Sequence, residues 1–531
     1  MHYLPTGRRF IHLAAVALFL ITLLTTQFSF SFREPLVVWT STSEASPACQ
    51  IWPGWQGSGS ERLSYDTCRE TTNSPLVGDV GVLGDPNQCL LASSRLEQYY
   101  SSPNSNWSEV RWGQVQRRCA AREYISPPPE NPIDRVWRLP SASQDPEAPL
   151  EGGGGRVAVV LRTWDNYEYT EKRLAWLRAL IAEVSLQRSG SYQVFFLVNV
   201  KDTDIQLEED DAAYEQALIK FVPEEFRDMA LLFNERTLKA WYPLVQEHGA
   251  QDQMYQALQI FSRKFKEYDF IWQLEMDLRF TGHVHDTLES AASFARAQSR
   301  RNLWERNGRF YIPDLHNNSY DEFSAAVDAE VGDRGVWGPV PTSEFTSQGP
   351  QPPSRTKWNW GVGEEADLIS FMPMIDPVGT NWIYEDVIHG FADGVETPRR
   401  VAIVSITRSS RRLLQFVHEA QQNRGQWLVS EATLETFALL HGLKAVTVPH
   451  PIFFEGEMTA EELDAEVNKG PPHFKAGGLT PSMLYSKDGW VPGPWWQASY
   501  WFTGSSAENL WKAYVDRRRL PPMLLHPVKE K

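Results

Sequence analysis

The chain has 531 residues, with 51 basic and 67 acidic side chains, a formal charge of −16, 42% apolar residues and 22% charged ones. This is globular material, neither disordered nor fibrous. A net negative chain also lacks the clustered Lys and Arg that neutralise a duplex backbone, so nucleic acid is excluded as a partner.

Residues 10–32 contain no Asp, Glu, Lys or Arg, and about 20 apolar residues suffice to cross a bilayer as a helix. Arg8 and Arg9 precede this run, and Arg33 and Glu34 follow it. The positive-inside bias therefore keeps residues 1–9 in the cytosol and sends the remainder into a lumen, giving a single-pass type II protein of the ER or Golgi. Ser29-Phe30-Ser31 offers a cleavage site instead, but the apolar core of a signal peptide usually spans only about 7 to 15 residues.

Residues 33–130 are rich in Ser, Gly, Pro and Trp and hold all four cysteines, Cys49, Cys68, Cys89 and Cys119. In an oxidising lumen this predicts a stem or cap with two disulfides, in one of three pairings that sequence does not distinguish. The absence of a C-x-x-C pair argues against zinc. Asn106 and Asn317 head glycosylation sequons, which have meaning in the same compartment. The stiff SPPPENP (126–132) and flexible EGGGG (151–155) bracket a linker over residues 131–155, and 156–531 is expected to be the principal domain.

From residue 156 the texture changes. Val157 to Leu161 reads as a buried strand, and Leu174, Leu177, Leu180, Ile181 and Val184 recur at helical spacing. Strands are predicted over Val194–Val200, Phe270–Leu278, Val401–Ile406 and Lys444–Val448, with helices around Met254–Phe265 and Glu431–His441. This alternation predicts an α/β fold, a mixed, mostly parallel sheet flanked by helices. Gly332 to Asn359 is a long connection dense in Gly, Pro, Ser and Thr, of the kind that carries function or lacks order.

Two groups of residues carry potential chemistry. Glu275 and Asp277 close the third predicted strand; alternation puts both carboxylates on one face, about 6.6 Å apart. At the carboxyl end of a parallel strand, a divalent cation bridging to phosphate oxygens gives that pair a purpose. Pairing with Arg279 or capping of the next helix is the structural alternative. The second group is Trp358-Asn359-Trp360-Gly361-Val362-Gly363-Glu364-Glu365-Ala366-Asp367. Trp rings stack on sugar faces, Gly admits a ligand close to the backbone, and a partly buried Glu can take a proton from a hydroxyl. The same residues also read as a Trp-capped helix start, with the acids favouring the N-terminal dipole of ADLISF.

The stretch WNWGVGEEAD resembles the Trp-Gly-rich acidic motif of luminal beta-galactosyltransferases, and EMD resembles their metal-binding Asp-x-Asp. VVLRTWDNYEYT, WQLEMDLRFTGH and WGVGEEADLI together resemble a fungal family of type II membrane proteins of unknown function with a glycosyltransferase-A-type core. The resemblance covers roughly Arg156 to Pro451 and leaves the Cys-rich segment outside. It implies that Asp277, with Glu275, holds a divalent cation such as manganese on the diphosphate of a nucleotide-sugar donor. It implies Glu365 or Glu364 as the base, with Trp358, Trp360, Gly361 and Gly363 against the substrate. Glu in place of the first Asp, and the Glu-Glu-Ala-Asp register that brings in Asp367, depart from the pattern. The third metal ligand in such enzymes is often a distant His, for which His450 is the candidate here; His283 and His285 follow the acidic strand directly.

From where open α/β sheets bind ligands, Arg162 and Asp165 after the first strand are expected to meet base and ribose, and Asp202 after the second to lie near the ribose hydroxyls. Signatures of P-loop kinases, dinucleotide-dependent dehydrogenases, serine hydrolases and zinc proteases are absent. The reading is thus a membrane-anchored luminal glycosyltransferase acting on a glycan, lipid or small-molecule acceptor. The alternatives are a glycoside hydrolase and a non-catalytic glycan- or partner-binding protein. The last gains most if the two acidic groups fail to converge in one pocket.

Overall fold

The computed structural model describes residues 49–52, 55, 63–68, 75–102, 105–120, 156–188, 190–343, 349–353, 359–470, 476 and 497–530. The expected anchor (10–32), the linker (131–155) and Trp358 lie outside these residues. Among the described residues no helix is long and apolar enough to cross a membrane.

A seven-stranded sheet organises the chain. In chain order its strands are β1 (Arg156–Trp164), β2 (Tyr192–Asn199), β3 (Ala230–Phe233), β4 (Tyr268–Glu275), β5 (Leu368–Ser370), β6 (Ile406–Ser410) and β7 (Ala445–Thr447). Their spatial order is β7-β5-β6-β4-β1-β2-β3. β1 pairs in parallel with both β2 and β4, β2 with β3, and β5 with β7, while β6 runs against β4 and β5. Six strands therefore point one way and β6 the other. The central strands hold continuous apolar runs such as VFFLV because helices cover both faces.

Among those helices are α1 (Glu171–Val184), α2 (Gln256–Lys264), α3 (Val284–Ala297), α4 (Arg411–Arg424) and α5 (Ser430–His441). Local chemistry sets their ends. The Thr170 and Ser410 hydroxyls accept from the amides of Arg173 and Leu413 at the starts of α1 and α4. Gly442, at φ +63°, ends α5 in the left-handed conformation that glycine adopts without a Cβ penalty. From β1 the chain winds outward through β2 and β3, then crosses back to β4 on the other flank. The switch point, where ligands gather in open α/β sheets, lies between β1 and β4 at their carboxyl ends.

The cysteine-bearing segment is bonded Cys49–Cys119 and Cys68–Cys89. It packs onto the sheet domain as a cap, not as a free-standing stem, and Glu44–Lys531 forms one unit. Buried Arg95 forks onto Glu183 of α1 at 2.6 and 2.9 Å. The Trp112 indole donates to Glu225 at 2.9 Å, and Arg178 of α1 holds the same carboxylate. Leu76–Val77 pairs with Ile452–Phe453, so the cap shares a ladder with the chain after β7.

Two predicted segments differ from what forms. The apolar run predicts a strand over Val401–Ile406, whereas the strand that forms is Ile406–Ser410, the polar ITRSS, every residue of which is buried. ADLISF also reads as a helix start, whereas Leu368–Ser370 forms strand β5. Both are held by sheet partners distant in sequence, which outweigh local propensity.

Candidate functional site

β4 ends at Glu275, and Asp277 sits in the turn that follows. The two carboxylates are therefore not alternating residues of one strand, but they still meet. Their meeting point is His526, whose Nε2 lies 2.9 Å from Glu275 Oε2 and 3.1 Å from Asp277 Oδ1. One ligand atom from each of the three lies within 4.8 Å of the others. The C-terminal segment brings His526 there: Leu524–Leu525 pairs with Arg279–Phe280 just after the acidic turn, and Val528 N–H donates to the Asp277 carbonyl at 2.8 Å.

His526 is buried, and its Nδ1 faces the Trp501 carbonyl. With acceptors at both nitrogens, the ring is held as the imidazolium. Burial alone lowers its pKa, but the hydrogen bonds and charges of Asp277 and Glu275 raise it to about 10. Burial pushes Glu275 up, yet the His526 hydrogen bond and the Arg162 guanidinium bring it below the usual carboxylate range. Asp277 is likewise lowered, burial being outweighed by His526 and by Lys529, whose ammonium contacts Oδ2. Arg162 Nη2 donates to Glu275 Oε1 at 2.6 Å across the β1–β4 pairing.

These residues border a cavity of about 230 Å³ lined by Arg162, Trp164, Asn199, Gln253, Met254, Glu275, Asp277 and Lys529, among others. Trp164 is 40% exposed at its rim, a flat apolar face at which a base or sugar can stack. Asp165 and Asp202 stand at the same edge of the sheet. The Asp165 carboxylate accepts from Lys201 N–H, tying the loop after β1 to the one after β2, and that of Asp202 accepts from Asp204 N–H within its own turn.

His450 is not part of this cluster. Its buried ring packs edge-on against Phe371 and Tyr500, and Tyr500 in turn neighbours His526. Burial lowers its pKa to about 3. The imidazole that meets both carboxylates is His526. His283 and His285 also serve structure, His283 as N-cap of α3 and His285 against Tyr192.

The second acidic group does not converge on the first. Leu368 lies opposite Ser409, and Ser409 opposite Ile271. Glu275 is four residues further along β4, about 13 Å, while Glu364 to Asp367 precede Leu368 and extend the other way. The two groups occupy opposite ends of the sheet. Each acid of the second group is also bound by arginine. Arg300 forks onto Glu364 at 2.9 and 2.7 Å, Arg296 and Arg408 hold Glu365, and Arg412 forks onto buried Asp367 at 3.1 and 2.7 Å. Burial raises Glu364 and Glu365, but these guanidinium groups bring both below the usual range, the reverse of what a proton acceptor needs. Trp360 lies beneath the Arg300 guanidinium at 4.9 Å. A Cβ at Gly361 (φ +89°) would come within 2.5 Å of Arg300 Cγ, so glycine serves packing there; Gly363 (φ +82°) serves the turn. The motif closes the base of β5 and β6.

At the correct end, sequence reasoning missed Glu431 in the first turn of α5. Glu275 N–H donates to the Ser405 carbonyl and Ala402 N–H to the Glu431 carbonyl, both at 3.0 Å. Three residues separate those contacts, about 10 Å of chain. Burial raises the Glu431 pKa, and Asp252 and Glu275 add to the rise. Glu435, one turn on and buried, is raised well above its usual range by burial and then Glu431. Asn106 and Asn317 are both exposed, the latter donating to Glu322 at 2.6 Å.

No curated protein matches the sequence. A family profile does match, over residues 81–530, which takes in much of the cap as well as His526 and Lys529. The chain belongs to the family described as Protein of unknown function (DUF3405).

Proposed function

We propose that the chain is a glycosyltransferase, anchored by residues 10–32 and facing an ER or Golgi lumen, that moves a sugar from a nucleotide-diphosphate donor to an acceptor hydroxyl. One observation carries this reading: two carboxylates and an imidazole share a point at the carboxyl edge of the β1–β4 switch, beside a cavity edged by Arg162, Lys529 and Trp164. Two hard oxygen donors, with the His526 nitrogen once an arriving cation displaces its proton, suit a divalent cation such as manganese. When bound there, such an ion supplies positive charge for the departing diphosphate.

The chain's own residues do the rest. Arg162 keeps Glu275 ionised and offers a guanidinium for phosphate oxygens. The Trp501 carbonyl orients the His526 ring. Trp164 offers its face to the base or sugar. Glu431, and not Glu364 or Glu365, takes the acceptor proton: it stands at the same end of the sheet, it has no arginine ion pair among the described residues, and burial raises its pKa, the direction a proton acceptor needs. The hydrolase alternative loses support because both carboxyls of the Glu275–Asp277 pair are held ionised, leaving no acid between them.

A non-catalytic, glycan- or nucleotide-binding role is the second reading, favoured by the separation of the two acidic groups. Calorimetric titration with UDP and GDP, with and without manganese, beside an Asp277→Asn control, tests the first. Manganese-dependent binding that the control loses supports it. No binding of either nucleotide by the folded chain refutes it, and binding without turnover of any nucleotide sugar favours the second.

A further inference from the structure

Three cationic side chains already surround the two carboxylates of Glu275 and Asp277. Arg162 engages Glu275, and Lys529 engages Asp277 at Oδ2, while Oδ1 faces His526. A divalent cation arriving alone would have to displace the His526 proton, and would still face two carboxylates whose charge is spent on Arg162 and Lys529, both of which repel it. A cation arriving with a diphosphate brings the missing negative charge, and that charge can accept whichever cation leaves the carboxylates.

Only one of the two cations is free to leave. The Arg162 side chain is 24% exposed and rises from the middle of the sheet. That of Lys529 is 54% exposed and lies on the cavity wall, with Asp277 as its ion partner. Its backbone is fixed on every side. Val528 N–H donates to the Asp277 carbonyl, Arg173 donates to the Lys529 carbonyl, and Arg279 and the Trp511 indole hold the Glu530 carboxylate at 2.7 and 2.8 Å. The ammonium is thus a mobile charge on a rigid mount beside the place a diphosphate would occupy.

We propose that Lys529 gates this site, blocking a bare divalent cation by occupying Asp277 and turning to the diphosphate when cation and diphosphate enter together. The inference rests on the metal-site reading above and adds that the two ligands bind with positive coupling that Lys529 sets.

The test is calorimetric titration of the full chain with Mn2+, alone and with saturating inorganic pyrophosphate, corrected for the complex the two form in solution. It is run on the native chain, Lys529→Ala, Lys529→Arg and Asp277→Asn. Removing one positive charge beside a dication in a solvent-open site is expected to tighten Mn2+ alone about tenfold in Lys529→Ala. The gain that pyrophosphate confers is expected to shrink by about the same factor, and Lys529→Arg to retain the native coupling. If Mn2+ binds in a way that Asp277→Asn abolishes but Lys529→Ala changes neither affinity nor coupling, the gate is overturned and the metal site stands. If no binding sensitive to Asp277→Asn is found with or without pyrophosphate, both fall.

Discussion

Replacing Asp367 by Asn separates the structural from the chemical reading of the WGVGEEAD segment. Asp367 is 3% exposed; it accepts a fork from Arg412 and the Ser410 hydroxyl at 2.7 Å, and Ser410 in turn caps α4. Asn keeps one acceptor oxygen but turns an N–H2 toward donors. The lost hydrogen bonds to a charged acceptor cost about 2 kcal/mol. The Arg412 side chain is 36% exposed and can find water, so the lost ion pair adds only about 1 kcal/mol. The total, about 3 kcal/mol, corresponds in a unit of this size to a fall in Tm of about 3 °C, taking about 2.1 cal/mol/K per residue for the unfolding entropy. Thermal unfolding gives the shift, and the manganese and nucleotide titration gives the site. The expected result is a destabilised chain with unchanged Mn2+-dependent nucleotide affinity. Loss of that affinity in a variant still folded at the assay temperature would refute the separation of the two acidic groups, and a fall in Tm below 1 °C would refute the structural role.

Three further outcomes follow from the same geometry. His526→Ala removes the imidazole from the acid cluster and should weaken Mn2+ binding about 10- to 100-fold, whereas His450→Phe should leave it unchanged; equal losses would return His450 to the site. Glu431→Gln should leave nucleotide binding within about twofold and reduce transfer to the acceptor by about 10²- to 10⁴-fold; full transfer activity would remove Glu431 as the base. His418, bonded to the Tyr242 hydroxyl, and His441, stacked on Phe416, are lowered by burial to about 4 and about 3. Each binds its proton more readily unfolded, so their contribution is complete above about pH 6.5 and fades as pH falls toward 4, by at most about 1.4 kcal/mol per pH unit per histidine. Urea unfolding of His441→Gln between pH 4 and 7 should show a shallower slope than the native chain, and identical slopes would refute this assignment.

What was legible in the sequence follows from how each part is held. β1, β2 and β4 are apolar runs because both faces of a parallel strand are buried, and burial needs only hydrophobic residues in sequence. β6 is not legible in this way, because ITRSS is buried through its polar atoms: Arg408 meets Glu365, and Ser410 meets Asp367. Those partners lie more than 40 residues away and leave no local trace. The Glu275–Asp277 pair was legible, since two acids at the end of an apolar run demand a counter-charge. The counter-charges were not: His526 and Lys529 are 249 and 252 residues beyond Asp277, placed by a two-residue strand whose only sequence signal is the apolar Leu524-Leu525.

The reversed strand explains why one acidic motif misled and the other did not. In an all-parallel sheet, a motif just before a strand and a motif just after one lie at opposite ends, and only a motif after a strand reaches the ligand edge. WGVGEEAD precedes β5, which points the same way as β4, so its carboxylates begin at the far end whatever their composition suggests. β6 runs back, so the segment before it reaches the ligand edge: Ser405 bonds to Glu275, and Ala402 to Glu431. Direction, which composition does not encode, therefore assigns the arginine-bound acids to holding the sheet together and leaves Glu431 at the same end of the sheet as the Glu275–Asp277–His526 cluster.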